Sequence, residues 1–213
     1  FGVILFAVFS VTTIFMDKNK IIEMLGFSGT GLTFFQLLFV GLAFIIGLSV
    51  TTSVAISMEG KNYWIIKTLP INKTKYFNSK VFLNMIITVP MIWLSIVVLK
   101  FSINLTIFEV ILLFIFTFLI GLFSSMLGLI INLLFPKMNG ASDVDVVKRS
   151  LSVIISIFSQ IALVGFSIWI YSILGIDFNI MIYMFMIFVI IIIFIEKILL
   201  YKWGKRRLDF INN

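Results

Sequence analysis

The sequence predicts an all-α, polytopic membrane bundle of about six transmembrane helices. Composition is the first observation behind this. Of 213 residues, 62% are hydrophobic and 12% charged, with a mean hydropathy of +1.23. Soluble domains carry about 25% charged residues, and a water-exposed fold could not hide so much apolar surface. The second is the shape of the apolar runs. They are uninterrupted and close to the ~20 residues a helix needs to cross hydrocarbon, whereas barrel strands would alternate polarity over about 10 residues.

The runs fall at 1–16, 32–56, 81–99, 107–134, 151–174 and 180–200. The chain opens on Phe1 inside an apolar run, without the charged start or small-residue cleavage site of a secretory signal. The first span is therefore expected to be a truncated helix with further protein upstream, and 1–213 to form one transmembrane domain. Pro90 is expected to kink the third span. Gly121, Gly128 and Gly165 are expected to allow close helix packing.

Charge placement supplies an orientation. Lys61, Lys67, Lys73, Lys75 and Lys80 lie in 57–80; Lys137, Lys148 and Arg149 in 135–150; and Lys197, Lys202, Lys205, Arg206 and Arg207 at the end of the chain. The alternate connections carry Lys18, Lys20 and Lys100. Basic residues stay on the cytoplasmic side, which predicts a multi-pass plasma-membrane protein with both ends of this chain cytoplasmic. The net charge of +7 is then a signature of topology, and no nucleic-acid partner is expected. The apolar patch Ile21–Leu25 in the first external connection is expected at the interface.

Two cytoplasmic segments carry most of the information. In 57–80, Ser57 is placed to cap a helix, Glu59 falls in its first turn, and Pro70 ends it. The resulting helix of about a dozen residues is too short to span. Tyr63, Ile65, Ile66 and Leu69 share one face; Lys61, Lys67 and Thr68 share the other, together with Trp64. Such a helix either lies at the headgroups or docks Trp64 into a groove on a cytoplasmic partner. In 135–150, Pro136 ends the fourth span and Asn139-Gly140 marks a turn. Ser142 with Asp145 has capping-box spacing, so a helix is expected to start near Asp143 and run into the fifth span, with Lys148 and Arg149 at the membrane surface.

Glu59-Gly60-Lys61 followed by Trp64, Lys67, Leu69 and Pro70 resembles a signature of ABC-2-type transporter permeases, the permease subunits found in many Gram-positive bacteria. The stretch Asn132–Lys137, with Phe135 and Pro136, followed by Val146-Val147-Lys148 and Ser150-Leu151-Ser152, resembles a second block of that family. Many members place an acidic or aromatic pair before the second block, where this chain has Asn139–Ser142. The resemblance implies a permease bundle paired with a separate ATP-binding subunit and a second permease copy or half. It also implies a cytoplasmic coupling helix at Glu59–Leu69, with Phe135, Pro136, Lys137 and Lys148 in a second contact. ATP and Mg would then sit on the partner, with no cofactor on this chain.

The chemistry available is narrow. There is no Cys or His, which removes thiolate and imidazole catalysis and the commonest metal ligands. No phosphate-binding loop ends in Gly-Lys-Ser/Thr, so no enzymatic activity is expected of this chain. Glu109 and Glu196 fall near span ends, which leaves an interior without the ionisable groups of a coupled carrier. Gln36, Asn84, Thr88, Ser124, Ser125, Asn132, Ser156, Ser159 and Gln160 are the mild polar residues inside the spans. They are expected to act as helix–helix glue, with Gln36, Asn84, Ser156 and Gln160 as candidates for a substrate path. The leading expectation is a permease subunit of an ATP-driven exporter. Its alternative is a non-transporting scaffold or immunity-type protein whose basic loops bind lipid or a signalling partner.

Overall fold

A computed structural model describes residues 2–15, 33–49, 51–68, 72–138 and 143–210. Helix α1 covers Gly2–Thr12, α2 Phe34–Gly47, α3 Tyr63–Thr68, α4 Lys73–Ile103 and α5 Ile107–Leu134. Helix α6 covers Asp143–Arg149, α7 Leu151–Leu174, α8 Phe178–Leu199 and α9 Lys205–Phe210. Short 3-10 turns at Thr13–Phe15, Thr51–Val54 and Ser57–Asn62, and a π-helical turn at Leu200–Gly204, complete the described residues, which hold no strand.

Among the described residues, five segments are long and apolar enough to cross a membrane, and Gly2–Phe15 is a shorter apolar helix. At 1.5 Å per residue its 11-residue α-helical part rises only about 16 Å, about half of a ~30 Å hydrocarbon core. Outward faces are apolar too: Leu94, Phe101, Phe158, Ile173, Ile187 and Phe194 are all exposed. Only lipid makes such a surface favourable.

Helix α5 is the axis of the bundle and packs against α2, α4, α7 and α8. Its most apolar stretch is 61% buried, against 11% for α7, so α7 lies at the periphery. Near one end, Phe39 and Phe116 join α2 to α5 with ring centroids 4.5 Å apart. That end is stapled by helix caps. Thr33 and Gln36 form a reciprocal capping box for α2, and Thr106 and Glu109 form one for α5. Each box satisfies backbone groups that a helix N-terminus leaves open.

The opposite end gathers the three basic segments. The Tyr63 hydroxyl donates to the Leu208 carbonyl at 2.6 Å, and Arg207 donates to the Leu133 carbonyl at 3.4 Å. Lys73 reaches the Lys205 carbonyl at 3.5 Å. The segments that the charge pattern assigns to one side therefore share one end of the bundle.

Several boundaries differ from the sequence expectation. The second span is not a continuous helix over 32–56, since α2 stops at Gly47 and the chain continues through two 3-10 turns. The third is longer: α4 begins at Lys73 and runs through Pro90 to Ile103, where Asn104 turns the chain at φ 55. The last span extends past 200 through the π-helical turn into α9. Helix α6 begins at Asp143 as expected but does not run into α7, because Ser150 between them is extended (φ −83, ψ 125). Ile21–Leu25 and Asn139–Ser142 lie outside the described residues.

The glycines divide as well. A Cβ on Gly128 would collide with Thr52 Oγ1 and lie 3.1 Å from the Ser53 backbone nitrogen. Gly165 has nothing within 4 Å among the described residues, so it makes no close approach to another helix of this chain there. Gly128→Ala is expected to lower stability by about 1–3 kcal/mol through overpacking, despite a gain of up to about 1 kcal/mol in helix propensity. Gly165→Ala keeps that gain and is expected to be neutral or stabilising. Thermal unfolding in mild detergent measures both.

Candidate functional site

The interruption of the second span is where the polar interior of the bundle converges. Ser49, Thr51, Thr52 and Ser53 put four hydroxyls into five residues, and such side chains compete with helical backbone bonds. Breaking a helix at membrane depth exposes N–H and C=O groups that cost several kcal/mol each if left unpaired. Neighbouring side chains supply the partners.

Asn132, buried on α5, makes all four hydrogen bonds an amide can make. Its Oδ1 accepts from the backbone N–H groups of Ile56 (2.8 Å) and Ser57 (3.2 Å). Its Nδ2 donates to Ser57 Oγ at 2.7 Å and Ser152 Oγ at 3.2 Å. Ser152 in turn donates to the Ser53 carbonyl at 2.6 Å, and Ser53 Oγ donates to Ser156 Oγ at 2.8 Å. One further link reaches the second basic loop, where the Lys137 N–H donates to Ser57 Oγ at 2.9 Å.

Two smaller groups complete the junction. Asn84 on α4 donates to Ser125 Oγ at 2.7 Å and accepts from Ser49 and Thr51. Gln160 on α7 donates to Ser124 Oγ at 2.6 Å, and Ser124 reaches the Ile46 carbonyl at 3.5 Å. Gly47 lets Gln160 approach, since a Cβ there would lie 2.9 Å from Gln160 Oε1. Of the candidate path residues, Asn84, Ser156 and Gln160 are thus brought to one junction, where each is buried and hydrogen-bonded. Gln36 is not among them. It caps α2 at the other end of the bundle, where it lines a separate cavity with Thr33, Glu109 and Asn179.

The expected docking helix is also rebuilt. Ser57 does not cap it, because its hydroxyl is taken by Asn132 and Lys137. Residues Ser57–Asn62 form a 3-10 segment holding Glu59, Gly60 and Lys61, and α3 holds Trp64 and Lys67. Within the 3-10 segment Gly60 forms a kink at φ 40 and ψ −118, a positive-φ conformation that favours glycine. A Cβ there would also come 3.3 Å from the Met138 carbonyl. Tyr63 is buried at 1% exposure and Trp64 is 55% exposed, as the predicted faces require of those two residues. Leu69 and Pro70 lie outside the described residues.

Glu59 faces inward along the chain. It pairs with Lys80 at 2.7 Å and accepts from the Tyr76 hydroxyl at 2.6 Å, which ties the 3-10 segment to the first turns of α4. Phe135 is exposed and follows the end of α5, Pro136 and Lys137 continue from it, and Lys148 falls in α6.

One expectation about the interior is corrected. Glu196 lies near a span end in sequence, yet it is buried at 4% exposure one turn before the π-helical segment. Both of its carboxylate oxygens lack a hydrogen-bond partner among the described residues. The sequence position missed this because the helical chain runs on from α8 through the π-helical turn and α9 to Phe210. Thr52 Oγ1 is the other buried side-chain oxygen without a partner among those residues.

Comparison with protein-family models, with curated proteins and with solved structures finds no match. The class defined by fold and site is therefore a multi-pass helical membrane protein with a polar junction inside its bundle.

Replacing Asn132 by Leu removes the partners of two backbone N–H groups and two hydroxyls. The expected cost is on the order of 2 kcal/mol. Ser167→Ala removes only a bond to its own helix, to the Leu163 carbonyl, and is expected to stay within about 0.5 kcal/mol. Denaturant unfolding in detergent micelles, followed by Trp fluorescence, compares the two.

Proposed function

We propose that this chain is a membrane-spanning subunit of an ATP-driven transporter of the ABC-2 type, moved by a separate ATP-binding subunit at its basic end. The observation that carries the reading is the meeting of the two permease-like segments. Ser57 joins the start of the first to Asn132 and Lys137 of the second, and the Met138 carbonyl lies against Gly60. A partner pressing on α3 would therefore act on the second basic loop and, through Asn132, on the broken second span.

Trp64 suits the contact, being a large aromatic held out from the basic end of the kind that anchors interfaces. Glu59 acts as a brace inside the chain, through Lys80 and Tyr76. Export is the direction this reading favours, with the plasma membrane as the site and the basic end in the cytoplasm. The partner carries ATP and Mg, and a second permease copy or half completes the pathway.

Trp64→Ala with Lys67→Ala is expected to reduce co-purification with the cognate ATP-binding subunit at least about tenfold, the effect of losing about 1.4 kcal/mol at a contact. Transport-stimulated ATP turnover should fall with it while the variant keeps its thermal stability. Unchanged association and turnover would sink the proposal.

Glu196 favours a second reading, a carrier coupled to protons or sodium, because buried carboxylates in spans commonly mark such paths. Glu196→Gln in reconstituted vesicles separates the two. A coupled carrier loses gradient-driven uptake. An ATP-driven subunit keeps ATP-dependent transport within about twofold, a margin of about 0.4 kcal/mol.

A further inference from the structure

A lateral groove of about 870 Å³ opens between α4, α5 and the last turns of α8. Its chemistry changes along its length. The mouth at the basic end holds Lys75, Asn78, Lys197 and Tyr201, and the Tyr201 hydroxyl donates to Asn78 Oδ1 across it. Both lysines are exposed. Below the mouth the walls are apolar, with Met85 and Val89 from α4, Leu122 and Met126 from α5, and Ile193 from α8. Among the described residues, no acidic one lines it. From Lys75 to Val89 the helix rises about 21 Å, more than one leaflet of a hydrocarbon core about 30 Å thick.

We infer that this groove is a binding site for a phospholipid with an anionic headgroup. The phosphate sits between Lys75 and Lys197, with Asn78 and Tyr201 as its polar neighbours, and an acyl chain runs along Met85, Val89 and Met126. Two cations at one end of an otherwise apolar slot match an amphiphile of that polarity and length. A neighbouring helix matches less well. An uncharged helix seated there would leave both lysines without a counter-charge. Helices in lipid also meet through small residues, whereas Phe82, Met85, Trp93 and Phe118 stand here. The inference rests on the membrane reading of the fold and is independent of the transporter proposal.

The test is native mass spectrometry of the full chain in mild detergent, delipidated and titrated with phosphatidylglycerol or phosphatidylcholine of identical acyl chains. The first phosphatidylglycerol is expected to bind about fivefold or more tightly than the first phosphatidylcholine, since each lysine near an anionic headgroup contributes about a fivefold factor. K75Q/K197Q brings the ratio close to one, and K100Q, at the other end of α4, leaves it unchanged. Ile86→Trp, at an exposed groove residue, weakens the first binding of both lipids by filling the slot. The inference is overturned by a ratio near one in the unsubstituted chain, or by a preference that survives K75Q/K197Q. Unaltered binding to I86W, or a two-chain species that excludes lipid from the groove, overturns it equally. K75Q/K197Q changes only exposed side chains, so it decides the matter even where I86W fails to fold.

Discussion

The hydrogen bonds of Asn132 hold the rest of this structure together. A second span that leaves the α-helix at Gly47 would strand backbone groups in a medium without water, at several kcal/mol each. Asn132 answers two of them, at Ile56 and Ser57, and Ser152 answers a third at the Ser53 carbonyl. These bonds come from α5 and α7, so the break is stable only when those helices stand beside it. Gly128 is the steric counterpart, because it is the missing Cβ on α5 that lets Thr52 and Ser53 approach. Polar satisfaction and close packing thus fix the same point of the bundle.

That point also sets the geometry of the basic end. Ser57 is shared between Asn132 and the Lys137 backbone, so the first basic loop leaves the bundle in a fixed register with the second. The Glu59 pair with Lys80 then holds the loop against the start of α4, and Tyr63 holds it against the end of α9. Three segments far apart in sequence are joined by about five directional contacts and by a shared apolar cluster in which Tyr63, Phe77, Met138, Leu200 and Leu208 are buried. A load applied to α3 would pass along hydrogen bonds, an ion pair and this packing, whose distances tolerate little change.

The sequence made the class and most of the span positions legible, because lipid imposes strong rules on length and apolarity. Runs at 107–134 and 151–174 coincide with α5 and α7 to the residue. Charge alone grouped the three basic segments, as their contacts require. The break in the second span was hidden because Ser and Thr are tolerated in membrane helices; the cluster Thr51-Thr52-Ser53 was its only mark. Asn84, Asn132, Ser156 and Gln160 were legible as interior polar residues, but their common target was not, since it is a backbone segment. Glu196 was misplaced for a different reason. The last span was drawn to end with its apolar run at 200, while the helical chain carries on beyond it to Phe210.

These bonds bear on where a polar solute could pass. Asn132 has no hydrogen-bonding capacity left, and the amide groups of Asn84 and Gln160 are directed at Ser125 and Ser124. A solute that competed for these groups would release the backbone they satisfy, at a cost comparable to breaking the span. The junction is thus better suited to transmitting movement than to binding cargo. Under the transporter reading, a pathway through the membrane must then be walled by surfaces that a single chain leaves outward. The thinly buried faces of α7 and α8 are the apolar surfaces available to meet a second copy or half.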